Sequence, residues 1–467
     1  MQAYLDILNR AVTDFTRGDR PVVQAPAASE LQQKLDLSLQ QDGADLETLE
    51  QAVKDYLHYN PDSSQADYFK LLYSGRNEPA LLGDWVTSLS NATMHTYQVG
   101  PVATLMELEL IKSWNALVGF TEGDGLMVSG GSQANLIGMM LARHKACPEY
   151  KTRGADGRRL IAYVSDQAHY SAQKAVNVLG IGSDNLVAVA TDAEGRMCPV
   201  ALEAAIETSL AAGHQPFYIS LTAGTTVVGA YDPVVPCRAV ADKYDLWLHI
   251  DGAWGAPVLF SEESRHLLAD SGLADSFAWD AHKLMNVPIT AAVILVKQAG
   301  LLTECFSGGG GEYLFHNDEN AAFNLGERSM QCGRRADSLK VWLSWKAIGN
   351  KGFAAKIDYL QGLKAQCVAQ VEQSAQLEMI APSVYLNVVF RYKPEGLDDE
   401  QTLRRLNIAI TKTMMRNGGA YVDYAQYKGR SGIRLILAND AAQSQNIERF
   451  LEACITTGKA LMASGEY

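Results

Sequence analysis

Two short β-rich runs with polar ends constrain the fold of this chain more than any other feature. Trp247-Leu248-His249-Ile250 leads into Asp251-Gly252-Ala253-Trp254-Gly255, and Ser276-Phe277-Ala278-Trp279 leads into Asp280-Ala281-His282-Lys283. Lys283 follows Asp251 by 32 residues, a distance that suits one crossover between neighbouring parallel strands. Such a crossover brings both strand ends to the same edge of a sheet, where open α/β sheets bind their ligands. Alone, the lysine would be an ordinary surface charge and the aspartate a turn or helix cap.

The rest of the chain supports a sheet of this kind. Further β-rich runs occur at 160–165, 186–190, 217–221 and 291–296, with helical patterns at 200–210 and 234–244 between several of them. That alternation predicts an α/β fold with a mostly parallel sheet covered on both faces. Residues 101–120 place Val102, Leu105, Met106, Ile111, Trp114, Leu117 and Val118 near a 3.6-residue period, so an amphipathic helix is expected there. The chain before about Gly75 mixes helical patterns, as at 46–57, with polar linkers. From about Gly349 a long helical pattern is followed by strands at 385–392 and 433–437 and helices near 400–415 and 442–459. The expected organisation is therefore an N-terminal helical segment over 1–97, a large α/β domain over 98–348 and a small C-terminal α+β domain over 349–467.

Composition narrows the partners. A hydrophobic content of 47% allows a large core, and a formal charge of −13 argues against nucleic acid or an anionic membrane as partner. The opening Met1-Gln2-Ala3-Tyr4-Leu5-Asp6 lacks the basic-then-apolar layout of a signal peptide. The longest apolar run, 289–296, is far shorter than the roughly 20 residues of a membrane helix. Seven scattered cysteines with no CxxC spacing fit reduced thiols in a cytoplasmic protein and suggest no metal site.

Two upstream motifs give the Asp251–Lys283 pair its meaning. Ser129-Gly130-Gly131-Ser132-Gln133-Ala134-Asn135 directly precedes a helical run, so backbone N–H groups near Gly131 and the Ser132 hydroxyl can bind a phosphate. His169, in the segment Val164-Ser165-Asp166-Gln167-Ala168-His169-Tyr170-Ser171, can stack flat on an aromatic ring, with small Ala253 covering the other face. Thr222-Ala223-Gly224-Thr225-Thr226 closes another strand and places Thr226 within plausible reach of Asp251. Phosphate site, stacking imidazole, carboxylate and lysine together meet the needs of pyridoxal 5′-phosphate. Its aldehyde needs an amine, here Lys283, and its pyridine nitrogen needs an anion, here Asp251, to stay protonated.

On these residues the chain resembles the group II pyridoxal phosphate-dependent amino-acid decarboxylases, in the branch with glutamate decarboxylase and cysteine sulfinate decarboxylase. The likeness spans roughly 68–458. It is carried by Leu179-Gly180-Ile181-Gly182, Thr222 to Thr226, His249 to Gly255, His282-Lys283 and Gln331-Cys332-Gly333-Arg334, with Thr96 to Pro101 and Tyr313-Leu314-Phe315. The resemblance implies a fold type I, aspartate-aminotransferase-like large domain in a homodimer. It also implies that Lys283 binds the cofactor as a Schiff base, Asp251 pairs with the ring nitrogen, His169 stacks on the ring, and Gly131 and Ser132 bind phosphate. Thr226, Ala253 and His282 complete the cofactor site. Tyr313 would lie on a mobile loop from the partner subunit and return a proton after carbon dioxide leaves. Arg434 would grip a substrate carboxylate.

The departures concern the substrate. Asp280-Ala281 stands where the family often has Asn-Pro, Leu71 where members acting on acidic substrates commonly carry an amide, and His95 where an aromatic residue is usual. Lys70 and Arg76 lie in the same flanking segments and add positive charge. The implied activity is decarboxylation of an acidic L-amino acid, whether glutamate, aspartate or cysteine sulfinate. A decarboxylase of an aromatic or diamino acid, or a fold type I aminotransferase or lyase, is the alternative.

Overall fold

The computed structural model describes every residue of the chain except 19, 25, 40, 156, 309, 310, 312 and 317. The described residues form two compact units. The larger comprises 76–362 with 383–386, and the smaller joins 1–75 to 363–382 and 387–467.

The larger unit is built on a seven-stranded sheet of β1 (Asp124–Val128), β2 (Leu160–Ser165), β3 (Leu186–Val189), β4 (Gln215–Thr222), β5 (Trp247–Asp251), β6 (Ser276–Asp280) and β7 (Ala292–Val296). The spatial order is β1-β7-β6-β5-β4-β2-β3. Strand β7 runs antiparallel to both its neighbours, β1 and β6, while the β6, β5, β4, β2 and β3 pairings are all parallel. Every residue of β5, β6 and β7 is buried, which explains their near-continuous apolar sequence: a strand covered on both faces has no solvent side to alternate toward.

As the spacing predicts, β5 and β6 are parallel neighbours, with Asp251 in register with Ala278. The crossover between them consists of three 3-10 turns (Ala256–Phe260, Arg265–Leu268 and Ser271–Leu273) rather than an α-helix. The helix Gly131–Ala146 begins just beyond the end of β1, which runs in the same direction as β6. Its first turn therefore opens at the sheet edge where β5 and β6 end.

The smaller unit holds an antiparallel sheet of β8 (Leu377–Met379), β9 (Asn387–Tyr392), β10 (Asp423–Tyr427) and β11 (Arg430–Ile436), ordered β10-β11-β9-β8. The helices Glu400–Arg416 and Ser444–Ser464 pack on it.

The expected division at 97 and 348 differs from the one observed. Residues 1–75 do not stand apart from the C-terminal residues: Phe69 N–H donates to Tyr421 O at 2.7 Å, and Phe69 O accepts from Ile436 N–H at 3.0 Å. The Phe69 and Phe450 rings lie 5.2 Å apart in the same core. At the other boundary, Gly349 takes φ 67° and ψ 170° within the long helical stretch Ser338–Gln373. That left-handed glycine breaks the helix and changes the sequence pattern, but the unit boundary lies further along, at 362. Strands β1, β8 and β10 are not among the runs expected from the sequence. Asp124-Gly125 at the head of β1 looks like a turn, and the edge strand β10 alternates half-buried with exposed residues.

Candidate active site

The site lies in the larger unit, at the edge where β5 and β6 end. Asp251 closes β5 and is buried. Burying an ionised carboxylate is costly unless its oxygens are satisfied. Both are: Asn135 Nδ2 donates to Oδ2 at 2.7 Å, and Ala253 N–H donates to Oδ1 at 3.1 Å. Thr226 lies half-buried four residues beyond the end of β4. Asp251 is thus held by Asn135 and Ala253, and Asn135 is a contact that sequence reasoning did not assign.

Lys283 sits in the turn after β6, with Nζ 3.2 Å from Asp280 Oδ2. His282 Nδ1 lies 2.8 Å from Ala291 O, and its Nε2 is 3.5 Å from the same Asp280 oxygen. Burial pushes the His282 imidazole below its ordinary pKa, and Asp280 opposes that shift.

His169 brings the site together electrostatically. Burial pushes its pKa down, the Asp251 charge pulls it back up, and the Lys283 charge pushes it down again. Its imidazole thus lies within the field of both residues. The Ser171 N–H donates to His169 Nδ1 at 3.2 Å, which leaves the ring proton on Nε2.

The glycine at the helix start is a steric requirement. A Cβ on Gly131 would come within 2.9 Å of Asp280 Oδ2 and 3.0 Å of Ala253 Cβ. Gly131 and Ala253 together therefore leave a small-residue wall between the helix start and the end of β5. Ser132, next along the helix, is exposed. This arrangement fits pyridoxal phosphate. A helix N-terminus stripped of side chain, an anion with its oxygens fixed, a lysine and an imidazole converge on one sheet edge.

Other predicted residues lie elsewhere in the larger unit. His95 is half-buried; its Nδ1 lies 3.2 Å from Thr93 Oγ1, and its carbonyl accepts from Gly326 N–H at 2.9 Å. Tyr313 is exposed and lines a cavity of about 450 Å³ with Phe315, Gly326, Met330 and Cys332. Of the glycine run before it, Gly309 and Gly310 lie outside the described residues.

Leu71 and Arg434 belong to the smaller unit. Leu71 packs on the cluster of Val22, Val23 and Tyr68, as does Tyr421. Arg434, on β11, donates from Nη2 to Lys70 O at 2.9 Å. Lys70 Nζ lies 3.9 Å from Asp423 Oδ2 and 4.8 Å from the Tyr421 ring centroid, so its charge is met within its own unit.

This combination of fold and site defines a pyridoxal phosphate enzyme, and comparison with known proteins specifies the kind. Residues 28–393 match the pyridoxal-dependent decarboxylase conserved domain, and the chain belongs to that family. It is similar to cysteine sulfinic acid decarboxylase of Rattus norvegicus, at 34% identity over 95% of this chain and 92% of that protein. It is also similar to the acidic amino acid decarboxylase GADL1 of Homo sapiens, at 32% identity over 97% of this chain and 89% of that one. The crystal structure of mouse CSAD superposes with a TM-score of 0.94 at 33% identity, covering 98% of this chain and 97% of that chain. The resemblance read from the motifs and the type I fold both hold.

Proposed function

We propose that this chain removes the α-carboxylate of an acidic L-amino acid (glutamate, aspartate or cysteine sulfinate), acting as a cytoplasmic homodimer. The observation that carries the reading is the pairing of Asp251 and Lys283 at the ends of adjacent parallel strands, beside the Gly131 helix start. When bound, pyridoxal phosphate supplies the electron sink that stabilises charge left on Cα as carbon dioxide departs. Lys283 supplies the amine through which the cofactor is held. Asp251 keeps a proton on the ring nitrogen, and His169 stacks on the ring. Gly131 and Ser132 bind the phosphate through helix N–H groups and a hydroxyl, while Thr226, Ala253 and His282 enclose the remainder. Tyr313 of the partner subunit returns the proton to Cα.

The acidic substrate rests on the names of the relatives and on Arg434, proposed as the partner of a substrate carboxylate, with His95 and Leu71 shaping selectivity. A charge-assisted pair of this kind is strong once water is excluded. The dimer is supported by the helix Glu78–Ser90, which exposes Leu82, Trp85, Val86 and Leu89 on one stripe. Val99, Val102 and Leu105 add exposed apolar surface nearby in sequence. Stripes of this size favour a partner surface over water. Reduced thiols at all seven cysteines suit a cytoplasmic setting.

The deciding experiment compares kcat/KM for glutamate, aspartate, cysteine sulfinate, tyrosine, histidine and lysine, with amine and carbon dioxide both measured. The acidic substrates are expected to lead by orders of magnitude. A preferred aromatic or cationic substrate overturns the acidic reading and leaves the decarboxylase standing. Light scattering tests the dimer.

A further inference from the structure

Behind Asp251, a chain of side-chain hydrogen bonds runs through the buried middle of the larger unit. Asn135 Nδ2 lies 2.7 Å from Asp251 Oδ2 and 3.0 Å from Ser171 Oγ. Asn135 Oδ1 lies 3.0 Å from His249 Nε2, and His249 Nδ1 lies 2.8 Å from Ser276 Oγ. Ser276 Oγ lies 2.9 Å from Trp247 Nε1. All of these residues are buried, His249 and Ser276 completely.

The elements place them together for simple reasons. His249 and Asp251 are two apart on β5 and share a face, and Ser276 is the register partner of His249 on β6. The helix Gly131–Ala146 covers that face with Asn135 and Gly138, three apart on one side of the helix. A Cβ on Gly138 would fall 2.7 Å from His249 Nδ1, so the glycine is what lets the helix rest on the imidazole.

The direction of each bond is determined from both ends. An ionised carboxylate only accepts, so Asn135 must turn its NH₂ to Asp251 and its oxygen to His249. His249 Nε2 must then carry the proton, and Nδ1 must accept from the Ser276 hydroxyl. From the far end, the Trp247 indole only donates, so Ser276 accepts from it and has its proton free for His249. Burial holds the His249 pKa at about 4, so the imidazole stays neutral and this tautomer persists at neutral pH. Apart from the side branch from Asn135 Nδ2 to Ser171 Oγ, every bond in the chain points toward Asp251, and bonds aligned in this way polarise one another.

We propose that Asn135, backed by His249, Ser276 and Trp247, is the positioning residue that keeps Asp251 charged and fixed against the cofactor's ring nitrogen. The inference rests on the assignment of Asp251 in the proposed function. A donor to a carboxylate favours its charged form, so a proton shared between Asp251 and the ring stays on the ring nitrogen. Ala253 N–H fixes the other oxygen, but as a backbone group it belongs to any residue at that position. Beyond that, the side-chain contact that orients Asp251 is the one from Asn135, at the end of the chain.

The test reads the cofactor rather than turnover. Holoenzyme is reconstituted with pyridoxal phosphate labelled with ¹⁵N in the ring, and the nitrogen chemical shift is recorded at neutral pH. Cofactor affinity is measured alongside by fluorescence titration. In Asn135→Leu the signal is expected to move toward the unprotonated position, and the cofactor Kd to rise about tenfold, the scale of one hydrogen bond to a charged group. Ser276→Ala removes only a hydroxyl three bonds from the carboxylate. It should shift the signal the same way by less, and it decides the matter if Asn135→Leu does not fold. Wild-type signals in both variants, with Asp251→Asn displaced, overturn the inference alone. An undisplaced signal in Asp251→Asn overturns the assignment of Asp251 beneath it.

Discussion

Lys283 Nζ lies 3.2 Å from Asp280 Oδ2, and Asp280 Oδ1 is buried without a hydrogen-bond partner among the described residues. Both oxygens come within 3.0 Å of where a Cβ on Gly131 would stand, so a carboxylate occupies the wall of the proposed phosphate cradle. At the position where the family often has Asn, Asp280 is tied to Lys283 and His282, and it brings negative charge toward a site for an anion. Asp280→Asn removes that charge and substitutes a donor. The variant freed of cofactor should bind pyridoxal phosphate on the order of tenfold more tightly, the scale of adding one charge-assisted hydrogen bond and removing one repulsion. Fluorescence titration checks this, and weaker binding would mean that the carboxylate helps to retain the cofactor by holding Lys283 in place.

Gly131→Ala tests the cradle from the other side. Its methyl would meet Asp280 Oδ2 at 2.9 Å and Ala253 Cβ at 3.0 Å, both on short side chains with little freedom to withdraw. Overpacking of this kind costs about 1–3 kcal/mol. The expected outcome is a folded protein of lower melting temperature whose affinity for pyridoxal phosphate falls much further than its stability. Unchanged cofactor affinity would place the phosphate elsewhere.

How much of this was legible in the sequence follows from what each residue touches. Asp251, Lys283 and Gly131 stand beside turns and glycines at element ends, where local pattern is informative, and the spacing between the first two matched a real crossover. Asn135, His249 and Ser276 gave a fainter signal. A histidine and a serine sit in strands otherwise buried and apolar, and only the β5–β6 register and the helix above show that they meet. A buried polar residue within an apolar strand was the available clue, since such a group must find a partner. The two units divide the chain elsewhere than the sequence pattern changes because the N-terminal residues join the smaller unit through backbone bonds such as Phe69 to Tyr421. Backbone pairing across hundreds of residues leaves no trace in local composition.

The buried His249 makes stability sensitive to acid. Its pKa is about 4 in the fold against an ordinary 6.5, because burial disfavours the charged form. The unfolded chain therefore takes up a proton on this side chain at higher pH than the folded one. Its contribution is complete above about pH 6.5 and is lost as the pH falls from there toward about 4, amounting to about 3 kcal/mol. His249→Gln should lower stability at neutral pH yet lose less between pH 7 and pH 4.5 than the wild type does. Urea unfolding at the two pH values checks it, and equal losses in both proteins would assign the acid sensitivity to other groups.

Tyr313 exposes 75% of its surface, so most of the side chain is not packed against its own subunit. The loop that carries it borders a cavity of about 450 Å³, with Phe315 packed over Gly311 and Gly326, which gives the tyrosine room to change position. As the proposed donor to Cα, it decides where the last proton goes. A proton delivered to Cα gives the amine; were it delivered to the cofactor instead, water would have to hydrolyse the C=N bond, releasing an aldehyde and leaving the nitrogen on the cofactor. Tyr313→Phe keeps the ring and removes the proton. Amine formation should fall about 10²-fold, the usual contribution of a positioned general acid, while the aldehyde share of products rises. Single-turnover product analysis gives both quantities. An unchanged rate and an unchanged ratio together would remove Tyr313 from the chemistry and direct the search for the donor to His169, whose Nε2 proton lies within the field of Asp251 and Lys283.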